Sequence, residues 1–311
     1  MSSDELNLIR DVCEKWYGFF PEMVSEVIHG VNHTFRIDRD GTICYAKLYS
    51  HSQTTEHIQL THKLLLEFND TERASVSKPL IASDGSSFRW IPVNSQLRLL
   101  SIYSEARGAA VTLTEEEMRI VGLGVAEIHR QFSRSGARAS RLDISHIINS
   151  SLNFIIKSDI PDEFKIFLKE TSKKYAESIE NRPLECGIIH GDLDILNIHL
   201  HGKVCSFFDF EMLFHGPLVF DIAAVLLSIF SNESSCEISR PLVLSVLHGY
   251  QDYKALGNAE VAVLPSAVFA KCIRSIAFLS ENCLIPSEMW PAVFIRTSEV
   301  LGRMSKTLLS L

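Results

Sequence analysis

Apolar residues first recur at helical spacing at Leu6, Ile9, Val12, Cys13 and Trp16, which predicts a helix over residues 4–17. The period then shortens. Val24–Ile28, Asn32–Asp38 and Thr42–Tyr49 show the alternation and the β-branched and aromatic content of half-buried strands, and Asp40-Gly41 between the last two is a hairpin-turn pair. A helix is predicted over 53–68, with Ile58, Leu64, Leu65 and Phe68 on its inner face; Phe88–Pro92 and Gln96–Tyr103 complete the strands. Residues 1–103 thus predict a five-stranded antiparallel sheet with one inserted helix. Ser104–Val111, containing Gly108, reads as a linker placed at 104–113, before a capping-box helix start at Thr114-Glu115-Glu116-Glu117. From 114 to 311 the periodicity is helical except in Cys186–Asp209, where Gly187–His190 and Lys203–Phe208 read as short buried strands around a polar loop. The predicted fold class is α+β, a small sheet-bearing N-terminal lobe followed by a larger, mostly helical one.

The polar loop between buried strands is the candidate site. It runs His190-Gly191-Asp192-Leu193-Asp194-Ile195-Leu196-Asn197 and, after a hairpin through Gly202, Phe207-Phe208-Asp209-Phe210-Glu211. An Asp with an Asn five residues on, and a second Asp ending the next strand, is the set phosphoryl transfer needs: one carboxylate for the attacking hydroxyl and oxygen ligands for magnesium. Asp192 is assigned to the hydroxyl, Asn197 and Asp209 to the metal, Glu211 to the outer metal shell or the substrate, and His190 to bracing the loop.

With 46% apolar and 22% charged residues, a chain of 311 can bury the cores of two lobes. A formal charge of −8 without a Lys/Arg block argues against nucleic acid as a partner. Seven scattered cysteines without a Cys-x-x-Cys pair read as free thiols in a reducing cytoplasm. The early acids of the opening stretch and the break at Asp221 in the apolar run Leu218–Phe230 predict neither a signal peptide nor a membrane partner. No Gly-x-Ser-x-Gly or P-loop lysine motif is present. Gly122-Leu123-Gly124 lies in a helical pattern and reads as helix packing, His199-x-His201 as a hairpin edge, and His129 as a satisfied buried histidine. Asp194 and Glu281, with other acids of the second lobe, are candidates to receive a cationic acceptor.

The loop resembles the catalytic loop of the aminoglycoside phosphotransferase and choline kinase family, H-G-D-x-x-x-x-N followed by D-x-D/E. The resemblance covers most of the chain: Gly216-Pro217 through Asp221-Ile222-Ala223 is similar to the family's G-P-x-x-x-D-x-A segment, Gly30-Val31-Asn32-His33-Thr34 to its nucleotide-covering turn, and Tyr45-Ala46-Lys47-Leu48-Tyr49 to its phosphate-binding lysine strand. His248-Gly249-Tyr250 and the helix around Arg274 resemble its acceptor-binding helical subdomain. The resemblance implies a bilobal protein-kinase-like fold and transfer of the γ-phosphate of ATP or GTP, with Mg2+, to a hydroxyl of a small molecule: an antibiotic, as in antibiotic resistance, an amino acid, an amino alcohol or a sugar. It implies that Lys47, paired with Glu56, holds the α- and β-phosphates, that Asn32, His33 and Thr34 cover the nucleotide, that backbone groups of Ser101, Ile102 and Tyr103 meet the adenine, and that Asp221 ties the catalytic loop to the helix after it. Asp194 stands where many relatives carry His, Asn or Phe, which puts it at the acceptor. A bacterial Ser/Thr protein kinase and a nucleotide-binding pseudokinase are the alternative readings of the same residues, and oligomeric state is not readable.

Overall fold

The computed structural model describes residues 3–50, 53–176, 179 and 182–309. In chain order the elements are α1 (Ser3–Val12), β1 (Met23–His29), β2 (His33–Arg39), β3 (Thr42–Leu48), α2 (Thr55–Glu67), β4 (Ala74–Val76), β5 (Arg89–Val93), β6 (Gln96–Ser104) and β7 (Ala109–Ala110). They continue with α3 (Glu115–Ser133), α4 (Ile144–Lys157), α5 (Asp162–Ala176), β8 (Cys186–Ile189), β9 (Ile198–His201), β10 (Val204–Phe207) and β11 (Phe214–Pro217). The last four are α6 (Val219–Asn232), α7 (Cys236–Gln251), α8 (Asn258–Glu281) and α9 (Trp290–Leu308). The chain divides into two compact units, the first made of Met1–Asn69, Ser75–Arg107 and Ser206–Phe208, the second of the remainder.

The first unit is built on an antiparallel sheet in the order β1-β2-β3-β6-β5. Alternation sorts its faces. Phe35, Ile37, Cys44, Ala46 and Leu48 point to one side, where Ile9, Val12 and Cys13 complete the core. Tyr49, Leu99 and Ile58 of α2 pack as a second cluster. The β2–β3 hairpin turns through Asp40 and Gly41, both at positive φ (45° and 71°), the backbone that two-residue hairpin loops demand. The first helix covers the expected residues: α1 runs on from Val12 into a wider π-helical turn over Cys13–Tyr17, which ends on Gly18 in the left-handed region.

In the second unit α3 starts where the capping signal predicts, with the Thr114 side chain accepting the Glu117 N–H at 3.3 Å. The Glu117 carboxylate reaches back to Thr112, accepting from its N–H and its hydroxyl (2.8 Å for the latter). Gly122 of α3 lies against the Val246 carbonyl of α7, and Gly249 of α7 lies against the Arg119 carbonyl of α3; a Cβ at either would strike backbone. Close helix crossing therefore accounts for Gly122. Ala109 and Ala110, expected in a linker, pair with Leu200 and His199 of β9, and Gly108 (φ 107°) precedes them where a Cβ would meet the Leu200 carbonyl.

Among the described residues α8 is the one helix long and apolar enough to cross a bilayer. It packs against α4, α5, α6 and α9, and most of it is buried, so its apolar character is that of a core helix. The apolar-run criterion passed over it because Lys271 and Arg274 interrupt the run.

Candidate active site

The loop after β8 is held by one carboxylate. Asp221, in the first turn of α6 and fully buried, accepts the His190 N–H on Oδ2 at 2.8 Å and the Gly191 N–H on Oδ1 at 2.9 Å. His129 of α3 meets the same Oδ2 through Nε2 at 3.0 Å, and its Nδ1 meets the Tyr250 hydroxyl at 3.0 Å. Burial by itself pushes Asp221 up, but the hydrogen bond and charge of His129, with His190 beside it, hold the carboxyl below the ordinary carboxylate range. Gly191 sits at φ 77° with its α-carbon against the Met212 carbonyl, so no side chain fits there. The His190 ring is buried and packs on Phe210 with centroids 4.4 Å apart, which fixes the loop from its other side.

This scaffold presents Asp192 with its side chain 44% exposed. Oδ1 accepts from the ammonium of Lys271, a buried lysine in the middle of α8. Oδ2 carries no hydrogen bond among the described residues. Burial pushes the Asp192 carboxyl up; Lys271, by charge and by hydrogen bond, together with His190 and Arg274, outweighs it and holds Asp192 below its usual range. Sequence reasoning missed Lys271. The signal was a cation inside the apolar run Phe269-Ala270-Lys271-Cys272-Ile273, which a buried helix face tolerates only opposite an anion.

Asn197 ends a single 3₁₀ turn, and its Nδ2 donates to the Asp192 carbonyl at 2.9 Å. With the amide nitrogen committed inward, Oδ1 is left as an oxygen ligand. Asp209, exposed just after β10, adopts a left-handed backbone (φ 67°, ψ 53°), an uncommon conformation for a non-glycine residue. An amide oxygen and a carboxylate are hard donors of the kind magnesium takes, so the residues present fit that ion. Glu211 follows in the short turn Phe210–Met212.

The other expected site residues take varied places in the structure. Asp194 caps the turn Ile195–Asn197, its Oδ1 accepting the Leu196 N–H at 3.0 Å, and so shapes the loop. Glu281 lines a separate cleft of about 430 Å³ with Phe154, Lys157, Asp159 and Trp290, a lining that includes neither Asp192 nor Arg274. Glu56 is exposed in the first turn of α2. Ser101, Ile102 and Tyr103 lie inside β6, opposite Lys47, Ala46 and Tyr45 of β3, and the Ile102 carbonyl accepts the Leu80 N–H at 2.7 Å. Their backbone is engaged in the sheet. The Tyr103 hydroxyl is bound too, by the Tyr49 hydroxyl and by His62 Nε2 at 2.7 Å. Burial pushes His62 down to about 4, so its neutral ring serves this network at neutral pH.

Lys47 lies on the sheet face opposite the α1 core, in one row with Thr34 of β2 and Ser101 of β6. Near it, Asn32 Oδ1 accepts the Ser50 N–H at 2.7 Å, and His33 Nδ1 lies 3.3 Å from Glu5 Oε2. These two side chains tie the turn to its own unit.

A family model described as the phosphotransferase enzyme family matches residues 32–257. A protein of Deinococcus radiodurans is 23% identical over 264 residues, covering 83% of this chain and 77% of that one. Two solved structures share the fold. A microcompartment-associated aminopropanol kinase matches with a TM-score of 0.78 at 15% identity over 99% of this chain and 97% of its own. An amicoumacin kinase bound to AMP-PNP and Ca2+ matches with a TM-score of 0.76 at 17% identity, over 97% and 94%.

Proposed function

The chain belongs to the phosphotransferase enzyme family, and from that premise we propose that it moves the γ-phosphate of ATP or GTP to the hydroxyl of a small molecule. The observation that carries this reading is the loop His190–Asn197. One buried carboxylate, Asp221, fixes its backbone, while Asp192 is half-exposed with no hydrogen bond on Oδ2 among the described residues, and Asn197 commits its amide nitrogen to the Asp192 carbonyl.

In this mechanism Asp192 Oδ2 accepts a hydrogen bond from the acceptor alcohol and aims its oxygen at the phosphorus. Because Lys271 holds the carboxyl low, Asp192 is a weak base, and its main contribution is orientation, with the hydroxyl proton passing to it late. A loose transfer state asks little more of it. Asn197 and Asp209 would hold magnesium, which when bound neutralises phosphate oxygens. Lys47 supplies the cation for the α- and β-phosphates. The first unit is assigned nucleotide binding and the second catalysis and acceptor binding. The seven thiols, none in a disulfide among the described residues, suit a reducing compartment such as the cytoplasm.

The test is an ATP-consumption screen with Mg2+ over small alcohols, with each product identified as a phosphate monoester by 31P NMR. Transfer to at least one alcohol class by the wild-type chain and none by Asp192→Ala is expected. Labelled phosphate appearing only on protein, or no transfer by a chain that still binds ATP, would overturn it in favour of a protein kinase or a nucleotide-binding relative without activity.

A further inference from the structure

One cation of α8 engages the carboxylate assigned to the acceptor, and a second cation follows three residues on. Lys271 and Arg274 are three residues apart, so they project from one helix face. Lys271 is 6% exposed and neutralises Asp192. Arg274 is half-buried, its guanidinium 5.5 Å from the centre of the Phe214 ring, and it lies in the field of Asp192. Among the described residues it makes no hydrogen bond or ion pair. A guanidinium carries five N–H donors in a planar fork, and withdrawing it from water without an acceptor is costly. Lys271 engages Asp192, which leaves Arg274 as a second cation on the same helix face with no carboxylate bound to it among the described residues. Of the acids expected to attract a cation, Asp194 spends Oδ1 on capping a turn and Glu281 lines another cleft.

We infer that the acceptor is an anionic alcohol, bearing a carboxylate or a phosphate group that the Arg274 fork binds while its hydroxyl rests on Asp192 Oδ2. This rests on the phosphotransferase reading above and narrows its substrate class. Planar, bidentate recognition of carboxylate or phosphate is what a guanidinium does best, and the Phe214 face keeps the fork oriented. Lys271 is a positioning residue: it engages Asp192 Oδ1, so the acceptor's anion goes to Arg274 and the hydroxyl to Oδ2.

The test uses the full chain with Mg2+ and ATP and a matched set of three- to five-carbon primary alcohols. Each backbone is offered with a carboxylate, with the corresponding primary amide, with a phosphate monoester, or with an ammonium group alone. Carboxylate or phosphate acceptors are expected to exceed their neutral and cationic counterparts in kcat/KM by about 30-fold or more, the scale of one buried charge-assisted contact. Which anionic series wins identifies the group. Arg274→Gln should raise KM for that acceptor by a similar factor, more than it lowers kcat, without changing the affinity for ATP, and Arg274→Lys should restore part of the loss. Preference for amides or ammonium alcohols, or an unchanged KM in Arg274→Gln, overturns the inference while leaving the phosphotransferase reading intact. Turnover of no alcohol in any series defeats that reading, and this inference with it.

Discussion

Replacing Asp221 by Asn tests the claim that one buried carboxylate positions the catalytic loop. The substitution keeps the shape and removes one acceptor position and the charge. Asp221 now takes three hydrogen bonds, from His190 N–H at 2.8 Å, Gly191 N–H at 2.9 Å and His129 at 3.0 Å. An amide nitrogen facing Gly191 leaves that buried N–H unsatisfied, which costs about 1–3 kcal/mol. The other two bonds drop from charge-assisted to neutral, about 1 kcal/mol each. The sum, about 3–5 kcal/mol, is a large part of the stability of an ordinary domain. Urea unfolding at pH 7 should therefore show a lower midpoint at unchanged m. Displacement of the loop by about 1 Å should lower kcat roughly 100-fold. The acid response gives the sign. A carboxyl held low in the folded chain contributes stability that is present above its unfolded pKa of about 3.9 and lost as pH falls through the folded value. The gap between wild type and variant should narrow below about pH 3.9. A loss under 1 kcal/mol at pH 7 with kcat within threefold of wild type would refute the reasoning.

Lys271→Met should move the acid limb of the kcat/KM profile to higher pH, because the charge and hydrogen bond that keep Asp192 low are gone. Stability should change little, since a buried pair replaced by an apolar side chain while Asp192 stays half-exposed leaves no stranded charge. An unmoved acid limb would show that Lys271 does not act through Asp192. Asn197→Ala should raise the Mg2+ concentration for half-maximal transfer at least about tenfold, in the range of effects on metal sites; a magnesium titration that superimposes on wild type would remove Asn197 from the metal.

What was legible in the sequence is what depends on local pattern. Strands β1 to β3, β5 and β6 follow from alternation and from Asp40-Gly41, and the catalytic loop from the spacing of Asp192, Asn197 and Asp209. What local pattern does not reach is the choice between partners. The strand signal in Gln96–Tyr103 covers the three residues to which the resemblance assigns the adenine contacts, and these lie within β6. Asp194-Ile195-Leu196 is an aspartate two residues before an amide it can cap, a local bond that competes with any substrate role. Lys271 was out of reach of motif reasoning because its partner is 79 residues away, though its place in an apolar helix was a visible sign.

The central claim is that Asp192 orients the acceptor hydroxyl for transfer. Its most direct measurement is single-turnover transfer from γ-labelled ATP to an acceptor found in the screen, comparing wild type with Asp192→Asn and measuring ATP affinity in both. The account predicts transfer slowed by at least about 100-fold, the lower range for losing a positioned catalytic group, with ATP affinity within about threefold of wild type. Transfer by Asp192→Asn at the wild-type rate would contradict it.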